Sequence, residues 1–210
     1  MFATLLATAA AATPVTFSTG ASFATAIAGA SAQGTDGFDT LTDGASLGAS
    51  PLNRSAGTLG YQISDTFGFY AGGSVDGFLT NSLLSGRMTV QGLGANVNAF
   101  GANFFGSGGD GLPASGGRIV LYVMESDNKL SAFELNNTNR ASYFGYIGEL
   151  ALISVSMQIE TMPGQDLYVS VDNLTLASMS AAPAAVPEPS ALALVGLALA
   201  GLALSRRRRV

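Results

Sequence analysis

The side chains able to do chemistry in this 210-residue chain carry oxygen, amide groups or aromatic rings, because it contains no His and no Cys. That removes Ser-His-Asp triads, thiolate nucleophiles and His/Cys zinc sites. Asp36, Asp39 and Asp43 lie close together in a Gly/Thr-rich stretch, and Asp172-Asn173 stands near the last body strand. Carboxylate and carbonyl oxygens in this arrangement suit calcium, which takes six to eight oxygen ligands. The first of these loops joined to the final strand would make a structural site from Asp36, Asp39, Asp172 and Asn173. No EF-hand spacing is present, and the plainer alternative is turn and strand-end residues. Tyr61, Phe67, Phe69, Tyr70 and Phe78 cluster in a second stretch. Tyr61, Phe69 and Tyr70 would form a stacking platform for a sugar, with ordinary core packing as the alternative. Glu125, Glu134, Glu149 and Glu160 are the carboxylates a glycosidase would have to pair, and their spacing pairs none of them. Gly106–Gly117 is followed by Arg118 and a strand instead of a Lys and a helix, so it reads as a flexible loop and not a phosphate cradle. The chain therefore reads as non-catalytic.

Charge narrows the partners. Residues 1–185 hold 13 acidic and 5 basic side chains, while Arg206, Arg207, Arg208 and Arg209 supply the other basic groups. A body of net charge −8 repels phosphate backbones, which argues against nucleic acid.

Ala181–Ser190 is a Pro/Ala linker in which Pro183, Pro187 and Pro189 forbid a continuous helix. The segment ALALVGLALAGLAL, Ala191–Leu204, then has no polar side chain and is built of strong helix formers. As a helix it spans roughly 21 Å, short of a bilayer core of about 30 Å. By length alone it could be a core helix. It is apolar on every face, however, follows a Pro-rich break, and ends in arginines that snorkel. A membrane helix over 191–205 with a basic cytoplasmic tail at 206–210 follows, and the positive-inside rule places the body outside. Phe2–Ala12 is a short apolar run closed by small residues. Residues 1–12 read as a truncated secretory signal lacking its positive n-region, or as a strand-leading terminus.

Val186-Pro187-Glu188-Pro189, the apolar helix and Arg206–Arg209, in that order and at that spacing, resemble the PEP-CTERM sorting tag of Gram-negative bacteria. The resemblance implies recognition by an exosortase and cleavage near Pro187–Pro189. It further implies that the body, anchored in inner-membrane lipid before processing, ends at the cell surface or outside the cell. It also implies a link to exopolysaccharide and biofilm matrix.

The elements positioning these residues are mostly short strands between Gly, Asn and Asp turns. The spacing predicts strands at 14–18, 38–41, 58–64, 67–70, 75–79, 87–91 and 97–105, the last with a bulge at Gly101. Arg118–Ser126 is a near-continuous apolar run, expected central and covered on both faces; it forms a hairpin with Lys129–Leu135 through Asp127-Asn128. Tyr143–Gly148 adds a further strand. Leu152–Glu160 alternates, with Ile153, Val155, Met157 and Ile159 on the buried face. Asp166–Val171 and Asn173–Leu176 close the body. Gly20–Ala28 reads as a helix capped by Ser18 or Thr19 and stopped by Gly29. About ten strands at this spacing predict a mainly β fold over 13–180, a jelly-roll-like β-sandwich with one short N-terminal helix. The order of fragments resembles the sandwich bodies that accompany such tails.

Overall fold

A computed structural model describes residues 13–179, apart from 49, 74–75 and 162–163. The expected signal segment 1–12, linker 181–190, membrane helix 191–205 and basic tail 206–210 lie outside the described residues. In chain order the elements are β1 (Val15–Phe17), α1 (Gly20–Ala26), β2 (Ala32–Asp36), β3 (Leu52–Ala56), β4 (Leu59–Ser64), β5 (Phe69–Gly72), β6 (Phe78–Asn81) and β7 (Arg87–Gln91). Then come β8 (Ala99–Ser107), β9 (Pro113–Ala114), β10 (Arg118–Glu125), β11 (Leu130–Asn136), β12 (Tyr143–Ile147), β13 (Leu152–Glu160) and β14 (Tyr168–Ser178).

These strands form two antiparallel sheets. One runs β1-β12-β8-β14-β6-β5, with β2 also paired to β14 and β9 to β8; the other runs β11-β10-β13-β7-β4-β3. The period-2 alternation of the strands builds the core. Phe100, Ala102 and Phe104 of β8 and Val169, Val171, Leu174 and Leu176 of β14 pack in one cluster with Ile119, Leu121 and Val123 of β10 and Val155, Met157 and Ile159 of β13. The two sheets therefore bury their facing sides against each other, and the mainly β expectation holds.

Several expectations need correction. Phe38–Leu41 is a turn and not a strand. Phe38 sits at φ 57, and the pairing strand is β2, just before it. β3 was hidden because LNRSA has little apolar content, yet it pairs with β4 over its whole length. The bulge expected at Gly101 lies on the opposite strand: the register slips between Asp172 and Thr175, so Asn173 and Leu174 share the space opposite Ala102. Ile153 is 41% exposed, because a second irregularity pairs Leu152 with Glu125 and Ser154 with Met124 and leaves Ile153 as the extra residue. β10 is not covered on both faces. Arg118, Tyr122 and Met124 are half-exposed on its outer side, although Val120 between them is buried.

Helix α1 starts where expected but ends at Ala26, with Ile27 and not Gly29 closing it. Thr19 caps it, its Oγ1 accepting the Ser22 N–H at 3.3 Å. The helix docks on the outer side of the eight-stranded sheet through Phe23, which is buried. Its ring lies over Gly101 and Gly145, a cross-strand pair of β8 and β12. A Cβ on Gly145 would stand 2.7 Å from Phe23 Cδ2 and one on Gly101 2.9 Å from Phe23 Cδ1, so both positions must lack a side chain.

Candidate functional site

The four residues expected to hold calcium do not form an oxygen cage. β2 pairs Asp36 with Leu174, which turns the Asp36 side chain inward between the sheets. There its carboxylate accepts four hydrogen bonds: from Arg54 Nε (2.8 Å), Arg54 Nη2 (2.6 Å), Tyr61 Oη (2.8 Å) and the Phe38 N–H (3.0 Å). All the acceptor sites of the carboxylate are thus filled by donors, and Arg54 matches its charge. Asp172 pairs with Asn103 and points to the opposite, outer side of the same sheet. It faces Arg140, whose Nη2 donates to Asp172 Oδ2 (3.2 Å) and pairs with Asp76 Oδ2 (2.8 Å). Burial raises the Asp172 pKa above its ordinary value against the opposing pull of Arg140. Asp39 Oδ1 accepts the Gly77 N–H at 3.2 Å. Asp39 and Asn173 both stand beside Gly37, and the Asn173 N–H donates to Asp172 Oδ1 at 2.7 Å. Among the described residues no three carboxylates gather in a metal-holding group. The residues present do not fit calcium, because opposite sheet faces separate Asp36 from Asp172 and arginines already neutralise both.

The sugar platform is likewise broken up. Tyr61 is 3% exposed and Phe69 1%, both turned into the core, while Tyr70 is 44% exposed. The alternation of β5 requires this, since adjacent residues face opposite sides. Desolvation beside Asp36 raises the Tyr61 pKa well above the ordinary tyrosine range. Tyr70 alone faces outward, across from Thr80, into a cleft of about 430 Å³ shared with Asp110 and Tyr168. Three of the four glutamates are engaged in internal contacts. Glu125 is buried and accepts the Tyr146 hydroxyl (3.3 Å) and the Glu149 N–H (3.0 Å). Glu134 and Glu160 both hold Arg118.

A broad concavity lies on the outer side of the eight-stranded sheet, beside α1. It measures about 720 Å³ and is lined by Phe23, Gln33, Thr35, Asn103, Tyr143, Asn173 and Thr175, among others. Thr35 and Thr175 share a hydroxyl–hydroxyl bond of 2.7 Å, and Asn173 Nδ2 reaches Asn103 Oδ1 at 3.5 Å. Asn173 stands at φ 53, the left-handed conformation that Asn tolerates better than most residues, within the β14 bulge. Sequence reasoning singled out Asn173 but not Asn103, Thr35, Thr175 or Tyr143. Their meeting depends on pairings as remote as 140 positions between the two threonines, and no local pattern carries that. The Asn173-Leu174 step after an Asp was the one available signal of a bulge.

Val186, Pro187, Glu188 and Pro189, and Arg206–Arg209, lie outside the described residues. Among the described residues no helix is long and apolar enough to cross a membrane. The chain has no match among curated proteins or solved structures. Residues 185–209 match the family model of the PEP-CTERM protein-sorting motif, so the Val-Pro-Glu-Pro segment, the apolar run and the arginines are its parts. The chain is thus a protein with a β body and a PEP-CTERM sorting motif.

Proposed function

We propose that this is an exported bacterial surface or matrix protein, delivered by its sorting motif, with a structural or adhesive and non-catalytic body. The observation that carries the reading is the motif match over residues 185–209. The motif implies an exosortase as the processing partner, and export. In this reading the apolar stretch 191–205 sits in membrane lipid until processing, Arg206–Arg209 stay on the cytoplasmic side, and cleavage falls near Pro187–Pro189. An extended Pro-flanked linker exposes its backbone, which suits a protease cleft. Residues 1–12 act as the export signal. The body has jelly-roll-type connectivity and is displayed at the cell surface or in the exopolysaccharide matrix of a biofilm. Support for a non-catalytic body comes from Glu125, Glu134 and Glu160, which are engaged in internal hydrogen bonds and ion pairs.

Deleting residues 188–210 in the native host tests this. The account predicts that the body is released into the medium. A truncated chain that remains entirely membrane-bound overturns the tether. Replacing Pro187, Glu188 and Pro189 by Ala should abolish the mass change of processing.

A further inference from the structure

We propose that the groove beside α1 binds a segment of neutral polysaccharide, with Asn173 and Asn103 as its central hydrogen-bonding pair. This deepens the adhesive reading and rests on the body acting outside the cell. Three observations converge on it.

First, the groove is uncharged. None of its lining residues is acidic or basic. In a body with 13 acidic and 5 basic side chains over residues 1–185, an open groove of this size without charge suits a ligand that carries none. A phosphate, a nucleic acid or an acidic peptide would meet no cation there, and a metal ion would meet no carboxylate.

Second, the groove offers the two kinds of contact that a sugar uses. Amides and hydroxyls that both donate and accept line one side: Asn103, Asn173, Thr35 and Thr175. Thr175 Oγ1 donates to the Asn173 carbonyl at 3.3 Å and shares the other hydroxyl proton with Thr35, so this pair meets a ligand with its oxygen lone pairs, as acceptors. An aromatic ring, Tyr143, lines the same groove and stays half-buried, which gives the apolar face of a pyranose a surface to stack on. A ligand pocket is commonly built this way, from apolar and aromatic walls with a few fixed polar groups. The groove's 720 Å³ falls within the range of about 300–1,000 Å³ common to such pockets.

Third, the backbone is distorted where the amide pair stands. Regular pairing of β14 with β8 would leave Asn173 in the strand. Instead the register slips there and Asn173 adopts φ 53. Bulges re-aim side chains and cluster next to binding sites, and a left-handed non-glycine residue is held only where its surroundings fix it. Here the result is an amide within 3.5 Å of its neighbour on β8 and on the groove wall. Charged groups flank the groove without lining it: Arg140 is shared by Asp76 and Asp172, and Asp39 lies beside Asn173 near Gly37.

The test uses the full chain, purified in mild detergent. Its probes are β-1,4-glucose, β-1,3-glucose, α-1,4-glucose and β-1,4-N-acetylglucosamine hexamers and the neutral fraction of the host's own matrix polysaccharide. A hyaluronan oligosaccharide serves as the charged counterpart. Titration calorimetry should show saturable binding to at least one neutral probe and none to hyaluronan. Asn173→Gly keeps the left-handed backbone accessible while removing the amide, and Asn103→Ala removes its partner. Each should weaken binding about tenfold, the loss expected when a hydrogen-bonding side chain that a bound ligand covers is removed. Thr175→Val, nearly isosteric, should weaken it in the same direction and serves where Asn173→Gly lowers the folded fraction. Tyr70→Ala, in the separate cleft, should leave it unchanged. The proposal is overturned if no neutral probe binds, if the Asn103, Asn173 and Thr175 variants all bind as the parent does, or if Tyr70→Ala is the variant that abolishes binding. Because binding is read on purified protein, its failure leaves the export reading standing, and failed export in cells leaves the binding result standing.

Discussion

The two outward sheet faces of this sandwich are built from the same strand grammar and differ in every other respect. On the six-stranded sheet the outer side chains stand in cross-strand rows, interrupted once, by the bulge at Ile153. Ser64, Thr89, Ser156 and Tyr122 are aligned across β4, β7, β13 and β10, with Thr89 and Ser156 joined by a 2.9 Å hydroxyl bond. Arg87 lies over the Tyr122 ring, and Arg118 is held by Glu134 and Glu160. That is the ordinary solvated side of an antiparallel sheet. On the eight-stranded sheet the same alternation is interrupted by the Gly101–Gly145 pair that seats a helix, by the β14 bulge, and by two concavities. Regular pairing is the low-cost state of a strand. What sets the eight-stranded face apart is the helix seated on its glycine pair and, beside it, the groove into which the β14 bulge brings Asn173.

The contrast is open to test by substitution. The largest effect belongs to Phe23→Ala, which removes the ring seated on the glycine pair and should destabilise the body by about 3–5 kcal/mol, read as a shift of the denaturation midpoint. A loss under about 1 kcal/mol would mean that the helix is an ornament on the sheet and not part of it. Arg54→Met should cost a similar ~3–5 kcal/mol, because it strands the inward Asp36 carboxylate between the sheets. A near-neutral outcome would show that Asp36 finds water.

A smaller, pH-dependent effect belongs to Asp172. Its folded pKa is raised, chiefly by burial, so the folded state binds the proton more tightly than the unfolded state. Its contribution to stability is therefore fully present below the ordinary aspartate value of 3.8 and declines as pH rises through the raised folded value. Asp172→Asn should flatten that decline in thermal melts taken across acidic pH, and an unchanged profile would contradict the assignment. Ser156→Ala on the regular face should change stability by no more than about 0.5 kcal/mol. A larger loss there would erase the distinction between the two faces.

What the sequence made legible follows the same division. β7 and β13 were readable in their bounds because their apolar and polar positions alternate, in β13 all but the bulged Ile153, and Thr19 announced α1 through its capping role. β2 and β3 were not, because AQGTD and LNRSA lack that alternation and are held by neighbours remote in sequence. The aromatic cluster was seen, but its meaning depended on which side of each strand faced the core. Tyr61 and Phe69 fell inward, and Tyr70 stayed out. Asp36 and Asp172 were both noticed for their chemistry. Their separation follows from strand pairing, which a list of acidic residues cannot express. The sorting motif was legible in full because its information is linear: a Pro-Glu-Pro segment, an apolar run and a basic end.

The central claim is that the chain is exported and then cut at that motif. Intact-mass measurement of the protein recovered from the surface fraction of its host tests this most directly. The account predicts a mature chain ending close to Pro187–Pro189 and lacking the apolar run and the four arginines. Recovery of the chain still ending in Arg209-Val210, with no shorter form, would contradict it.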